Sequence, residues 1–87
     1  MMGTAERLAY MANQIARNFA TLGETGAATA TAEHIASFWD PRMKTQILAR
    51  AEGPDHGLEP SALGAIELLR AGLAATGTDD AGRSDGG

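Results

Sequence analysis

The chain has 87 residues and carries 44% hydrophobic and 21% charged residues, which allows one small folded domain and no second core. Cysteine is absent, so disulfides, thiolate metal sites and Cys nucleophiles are excluded. Seven Lys+Arg against eleven Asp+Glu give a net charge of −4, a poor balance for neutralising a phosphate backbone. No apolar run reaches the roughly 18–20 residues that span a bilayer. The first residues lack a basic segment followed by an apolar one, so no signal peptide is expected. One Trp, one Tyr and two Phe supply little bulky apolar mass, so a domain of this size is expected to be only marginally stable alone.

The first predicted helix carries Leu8, Met11, Ile15, Phe19 and Leu22, one face of a 3.6-residue period. Thr4 is its expected N-cap, Glu6 favours the positive end of the dipole, and Gly23 closes it. Ala9, Ala16 and Ala20 form a second face, with Asn13 among them, where another backbone can approach. Tyr10, Gln14 and Arg17 point away from the main stripe. Gly23 to Ala30 is rich in Gly, Ala and Thr and reads as a joint.

A second helix is predicted from about Thr31 to Trp39, with Ala32, Ile35, Phe38 and Trp39 on one side. Pro41 disfavours helical geometry at Asp40, which becomes the N-cap of a third helix with Pro41 at its first position. That helix runs through Met43, Ile47, Leu48 and Ala51 to the break at Gly53-Pro54-Asp55-His56-Gly57. A fourth, from about Pro60 to Leu73, aligns Leu63, Ile66, Leu69 and Leu73, with Gly64 and Gly72 weakening it. Residues 76–87 contain one apolar residue and carry −2, and are expected to be a disordered acidic tail. The fold class is therefore all-α: a small bundle of about four short helices, residues 4–75, with a disordered C-terminal tail.

Chemistry is sparse. His34 and Ser37 lie three apart on a predicted helix, a spacing common by chance, and His34 reads more simply as a flank residue. His56, beside Asp55, reads as a solvated loop residue. Two isolated His and scattered carboxylates such as Glu33 and Asp40 make no metal-ligand spacing, and no glycine pattern forms a phosphate loop. No catalytic, cofactor or metal residue is assigned. Phe38-Trp39-Asp40-Pro41-Arg42-Met43 is the densest segment. Trp39 reads either as a core anchor or as an interface anchor. Arg42, Lys44 and Arg50 make residues 40–50 locally basic, which suits a solvated face, an acidic partner, or the phosphates of a helix-turn-helix site.

Two blocks carry a resemblance that reaches further. Met11-Ala12-Asn13-Gln14-Ile15-Ala16 with Phe19, and His34-Ile35-x-x-Phe38-Trp39-Asp40-Pro41-Arg42-Met43 continued by Gln46-Ile47-Leu48-Ala49, resemble the delta subunit of cytoplasmic NAD-dependent, molybdenum-containing formate dehydrogenases. Gly57-Leu58-x-Pro60, Ala65-Ile66 and Leu69-Arg70 are similar to that family's C-terminal part, so the resemblance spans about residues 5 to 71. It implies a non-catalytic accessory subunit associated with assembly or stability of the complex and its molybdenum cofactor. The implied partners are the alpha subunit directly, and the beta and gamma subunits in the same complex, with neither nucleic acid nor membrane. The cofactors it implies belong to those other subunits: bis-molybdopterin guanine dinucleotide and iron–sulfur clusters on alpha, and FMN, iron–sulfur clusters and the NAD site on beta and gamma. The expected partner-binding residues are Asn13, Gln14, Trp39, Arg42 and Met43.

Overall fold

A computed structural model describes the backbone of residues 3–83 and the side chains of residues 3–72. Four helices, α1 (Thr4–Asn18), α2 (Gly23–Phe38), α3 (Pro41–Ala51) and α4 (Pro60–Arg83), make up the fold, with a 3-10 turn (Ala20–Leu22) between α1 and α2. No strand occurs among the described residues. The all-α expectation holds. The tail expected to be disordered, residues 76–87, lies outside the residues described at side-chain level.

Helix α1 is capped by Gly3 rather than Thr4. Gly3 takes extended backbone and its N–H donates to Glu6 Oε1 at 2.9 Å, so the acidic residue of the first turn reaches back to an orphan donor. The buried face of α1 is also turned from the expected one. Leu8, Ala9, Ala12 and Ala16 are buried, whereas Met11 and Ile15 only flank the core. Leu22 is 57% exposed because α1 ends at Asn18, and the following turn carries Leu22 off the stripe. Alanines at the contact let neighbouring helices come close, and that closeness decides which face is inside.

The segment expected to be a joint is helical. Gly23 has φ 83° and ψ 169°, backbone essentially reserved for glycine, and it reverses the chain out of the 3-10 turn directly into α2. Ala27, Ala28, Ala30 and Ala32 are strong helix formers, and burial of Ala27, Ala28 and Thr31 outweighs the cost of Gly26. Helices α2 and α4 share the most extensive helix–helix contact of the fold. The approach is tight at Gly64, where a Cβ would stand 3.2 Å from that of Ala28.

Asp40 and Pro41 behave as expected. Asp40 is extended, and its Oδ1 accepts the Met43 N–H at 2.9 Å, starting α3 with Pro41 in the first turn. Ile35, Ile47 and Ile66, all fully buried, centre the core, each contributing on the order of 2 kcal/mol of apolar burial. On α4, Ile66 and Leu69 are buried as expected, and Leu63 packs at the core's edge.

Thr31 is fully buried, and its Oγ1 has no hydrogen-bond partner. Such a hydroxyl forfeits its hydration without compensation. Thr31→Val, which keeps the shape and removes the orphan, is expected to raise stability by about 1 kcal/mol, read as a higher urea midpoint at unchanged slope. A lower midpoint would mean that the hydroxyl is satisfied in solution.

Candidate partner-binding surface

The segment between α2 and α3 is a two-residue elbow. Trp39 closes α2, donating its N–H to Ile35 O at 3.0 Å, while its own backbone is already extended. This change of direction turns the indole inward, where it is 6% exposed and joins the core. Its neighbour Phe38 is thereby turned outward and is 75% exposed, contrary to the expectation that both rings share one buried side. The Phe38 ring lies against the His34 ring one helical turn earlier, with centroids 4.8 Å apart and planes tilted by 38°. Just past the elbow, Arg42 is exposed and makes no side-chain hydrogen bond or ion pair among the described residues. Met43 is half-buried against the core.

The other two cations of the basic cluster are committed within the chain. Lys44 Nζ donates to Ala36 O at 2.9 Å, tying α3 back to α2. Arg50 Nε donates to His56 O at 2.9 Å, and its Nη2 reaches Asp55 O at 3.3 Å. His56 is not merely solvated: its Nδ1 accepts the Leu58 N–H at 2.9 Å.

Asn13 is a structural clasp. Its Nδ2 donates to Gly57 O, and its Oδ1 accepts the Glu59 N–H, both at 2.9 Å, fastening α1 to the loop that leads into α4. Both ends of its amide are thus engaged within the chain. Gln14 is exposed, and its Oε1 accepts from Arg17 Nη1 at 3.3 Å. Arg17 in turn pairs with Glu59, with Nε to Oε1 at 3.2 Å and a second contact from Nη2 to Oε2. That hydrogen bond holds the Glu59 carboxyl below its ordinary range and raises Arg17. The five expected residues thus divide into Asn13 and Gln14 beside this clasp, and Trp39, Arg42 and Met43 at the elbow.

Nothing in this arrangement resembles a reaction centre. His34 meets Phe38 rather than Ser37, and no group of three or more metal-ligating side chains gathers among the described residues. An open groove between the start of α1 and α3, lined by Thr4, Ala5, Gln46, Ala49 and Arg50, offers no nucleophile beside a base. No described helix is long and apolar enough to cross a membrane.

Comparison with known families gives a match over most of the described chain. The model of the NADH-dependent formate dehydrogenase delta subunit FdsD covers residues 7–66, about two thirds of the chain. The chain belongs to the FdsD family. The resemblance carried by the Asn13 and Trp39 blocks is thereby borne out. Family membership makes the chain a delta subunit of a multi-subunit formate dehydrogenase, whose other subunits are its partners. No curated protein and no solved structure matches the chain.

The matched stretch contains both the Asn13 clasp and the elbow. Phe38 is the surface residue that the sequence reading placed on the wrong side. The signal was present: adjacent Phe38 and Trp39 lie about 100° apart on a helix, so one core cannot take both fully.

Two expected outcomes separate structural from recognition roles among these residues. Asn13→Ala removes two hydrogen bonds and is expected to cost about 1–2 kcal/mol of stability, with faster hydrogen exchange at the Glu59 amide. Unchanged exchange there would show that the clasp is not closed in solution. Glu59 has a depressed folded-state pKa, so its pairing stabilises the fold above the ordinary glutamate value of about 4.5. As pH falls from there through the lowered value, this contribution is lost. In acid titrations followed by circular dichroism, the stability gap between the native chain and Glu59→Gln is therefore expected to close below pH about 4.5. The gap is small because the pair is exposed, and salt diminishes it.

Proposed function

We propose that this FdsD-family chain is a non-catalytic accessory subunit that docks on the molybdenum-containing alpha subunit. In this role it supports assembly or stability of the cytoplasmic complex and of its molybdenum cofactor. Formate oxidation with NAD is carried by the alpha, beta and gamma subunits, which hold the bis-molybdopterin guanine dinucleotide, iron–sulfur, FMN and NAD groups. This chain binds none of them.

The observation that carries the reading beyond family membership is the Arg42 guanidinium, exposed and without a partner among the described residues, while the neighbouring cations Lys44 and Arg50 are engaged. Trp39, three residues before it, is buried in the core, and the adjacent Met43 is half-buried against that core, so the backbone that carries Arg42 is fixed by the fold. Arg supplies a planar set of donors suited to a carboxylate or a backbone carbonyl, and apolar neighbours strengthen such a bond by excluding water. Met43 and Gln14 join Arg42 as candidate contacts, while Trp39 and Asn13 shape the surface from within. The competing helix-turn-helix reading is weakened, because Lys44 and Arg50 already donate to backbone carbonyls and the chain as a whole is acidic.

The test is a tagged pull-down from the chain's own cells grown with formate and molybdate, with copurifying proteins identified and molybdenum quantified. The expected result is recovery of the formate dehydrogenase alpha subunit, whose molybdenum content falls when this chain is deleted. Arg42→Ala is expected to reduce recovery about tenfold, the scale of one charge-assisted hydrogen bond, with helical circular dichroism unchanged. Recovery of nucleic acid, or of unrelated proteins only, would overturn the reading.

A further inference from the structure

We infer that the loop between α3 and α4 is a proton-sensitive latch, closed while the His56 imidazole is neutral and opened when it is protonated. The latch lies wholly within this chain and works the same way whatever the chain docks on.

Residues 52–59 join α3 to α4 with one buried side chain, Leu58, so polar contacts hold the loop. His56 is half-buried, and its Nδ1 accepts the Leu58 N–H at 2.9 Å. Between the two, Gly57 has φ 71°, backbone that favours glycine and lets the chain fold back onto the ring. An imidazole nitrogen accepts only when it carries no proton, so the closed loop requires the tautomer with its hydrogen on Nε2. A proton added at Nδ1 turns the acceptor into a donor. Two N–H groups then confront each other, and the amide beside the buried Leu58 loses its partner. The neighbouring bonds carry that displacement to two helices. Asn13 of α1 holds Gly57 O and the Glu59 N–H on either side of Leu58, and Arg50 of α3 holds His56 O and Asp55 O.

The charged groups around the loop separate this event from other ionisations. Arg50 approaches from α3 and stays cationic throughout, so a protonated imidazole puts a second positive charge into the residue whose carbonyl Arg50 grips. Arg17 comes from α1 and is occupied by Glu59, while Arg70 of α4 is occupied by Glu52 and Leu48 O. The loop's own carboxylates are Glu52, Asp55 and Glu59. Imidazoles titrate between about pH 5 and 8, whereas the pairing of Glu59 is lost only below about pH 4.5. The neutral ring alone makes the acceptor bond, so the bond is present at the upper end of the imidazole range and lost as pH falls through it.

The experiment follows the full chain by nuclear magnetic resonance between about pH 8 and 5. His34→Gln leaves His56 as the single imidazole, and its ring nitrogen-15 shifts at the upper pH are expected to show a bare Nδ1 and a protonated Nε2. A proton on Nδ1 there would overturn the latch. The Leu58 amide protection factor, intrinsic over observed exchange rate, is expected to fall about tenfold across the range, the scale of one hydrogen bond. Its midpoint is expected to coincide with that of the ring, while the Ile66 amide of α4 keeps its protection. His56→Asn supplies a carboxamide oxygen that accepts without titrating, and is expected to hold Leu58 protection level across the range. His56→Ala is expected to leave it low throughout. Protection at Leu58 that is constant in the His56 chain, that falls equally in His56→Asn, or that falls together with Ile66 in one global step overturns the latch. Should His56→Asn be as unprotected as His56→Ala, the His56 chain decides: coincident midpoints sustain the latch and separate ones overturn it.

Discussion

The close approach of α2 to α4 governs the rest of this structure. A chain with so few aromatic residues has little bulky side-chain mass with which to fill the space between widely separated helices. Its alternative is to bring backbones together through small residues. Ala27 and Ala28 on α2, and Ala62 and Ala65 on α4, are all buried, and Gly64 lies against Ala28 with no room for a Cβ to spare. Each alanine buries little area, so the gain comes from many dispersion contacts across a tight seam rather than from a few large side chains. The orphaned Thr31 hydroxyl within this buried face of α2 shows that steric fit takes precedence there over polar satisfaction.

That seam leaves the connections to be fixed by polar groups. The loop between α3 and α4 has few apolar residues, Leu58 being the buried one. It is held by side chains reaching in from the helices around it. Asn13 and Arg17 come from α1, and Arg50 from α3. Arg70 of α4 returns to α3, donating to Glu52 at 2.8 Å and to Leu48 O at 3.1 Å. Most of these groups are exposed or half-exposed, so each contributes modestly, and their joint effect is to select one loop conformation. Their distribution also has a consequence for recognition. With Arg17, Lys44, Arg50 and Arg70 engaged internally, Arg7 and Arg42 are the cations without a side-chain partner among the described residues.

The sequence made much of this visible, and the misreadings share one cause. Asp40 and Pro41 announced the start of α3 because capping is local chemistry, decided within four residues. Ile35, Ile47, Ile66 and Leu69 read correctly as core because large aliphatic residues at helical spacing have few alternatives. The segment from Gly23 to Ala30 read as a joint because glycine and threonine lower helix propensity, and its burial against α4 is a tertiary fact. The turned face of α1 has the same origin: hydrophobic size favoured Met11 and Ile15, whereas the spacing between helices favoured Ala9, Ala12 and Ala16. At the candidate site, Arg42 and Met43 were legible as residues, but the division of labour between Phe38 and Trp39 was not. It depends on where α2 stops, and a boundary shifted by one residue exchanges which ring is inside. Asn13 was legible as an unusual polar residue on a small-residue face, and its partners 44 and 46 positions away were not.

The juxtaposition of Phe38 and Trp39 has a further physical consequence. A small helical domain has limited stability to spend, so an exposed aromatic ring is affordable only where the fold does not depend on it. By placing Trp39 in the core and Phe38 in solvent, the elbow separates residues that hold the chain from residues that can be covered by something else. Covering that surface by a partner that binds only the folded form adds stability by mass action. The buried indole fixes the direction of the elbow, and the elbow's direction fixes that Phe38 faces solvent. That direction rests on one backbone feature, the extended pair Trp39 and Asp40, which ends α2 and starts α3.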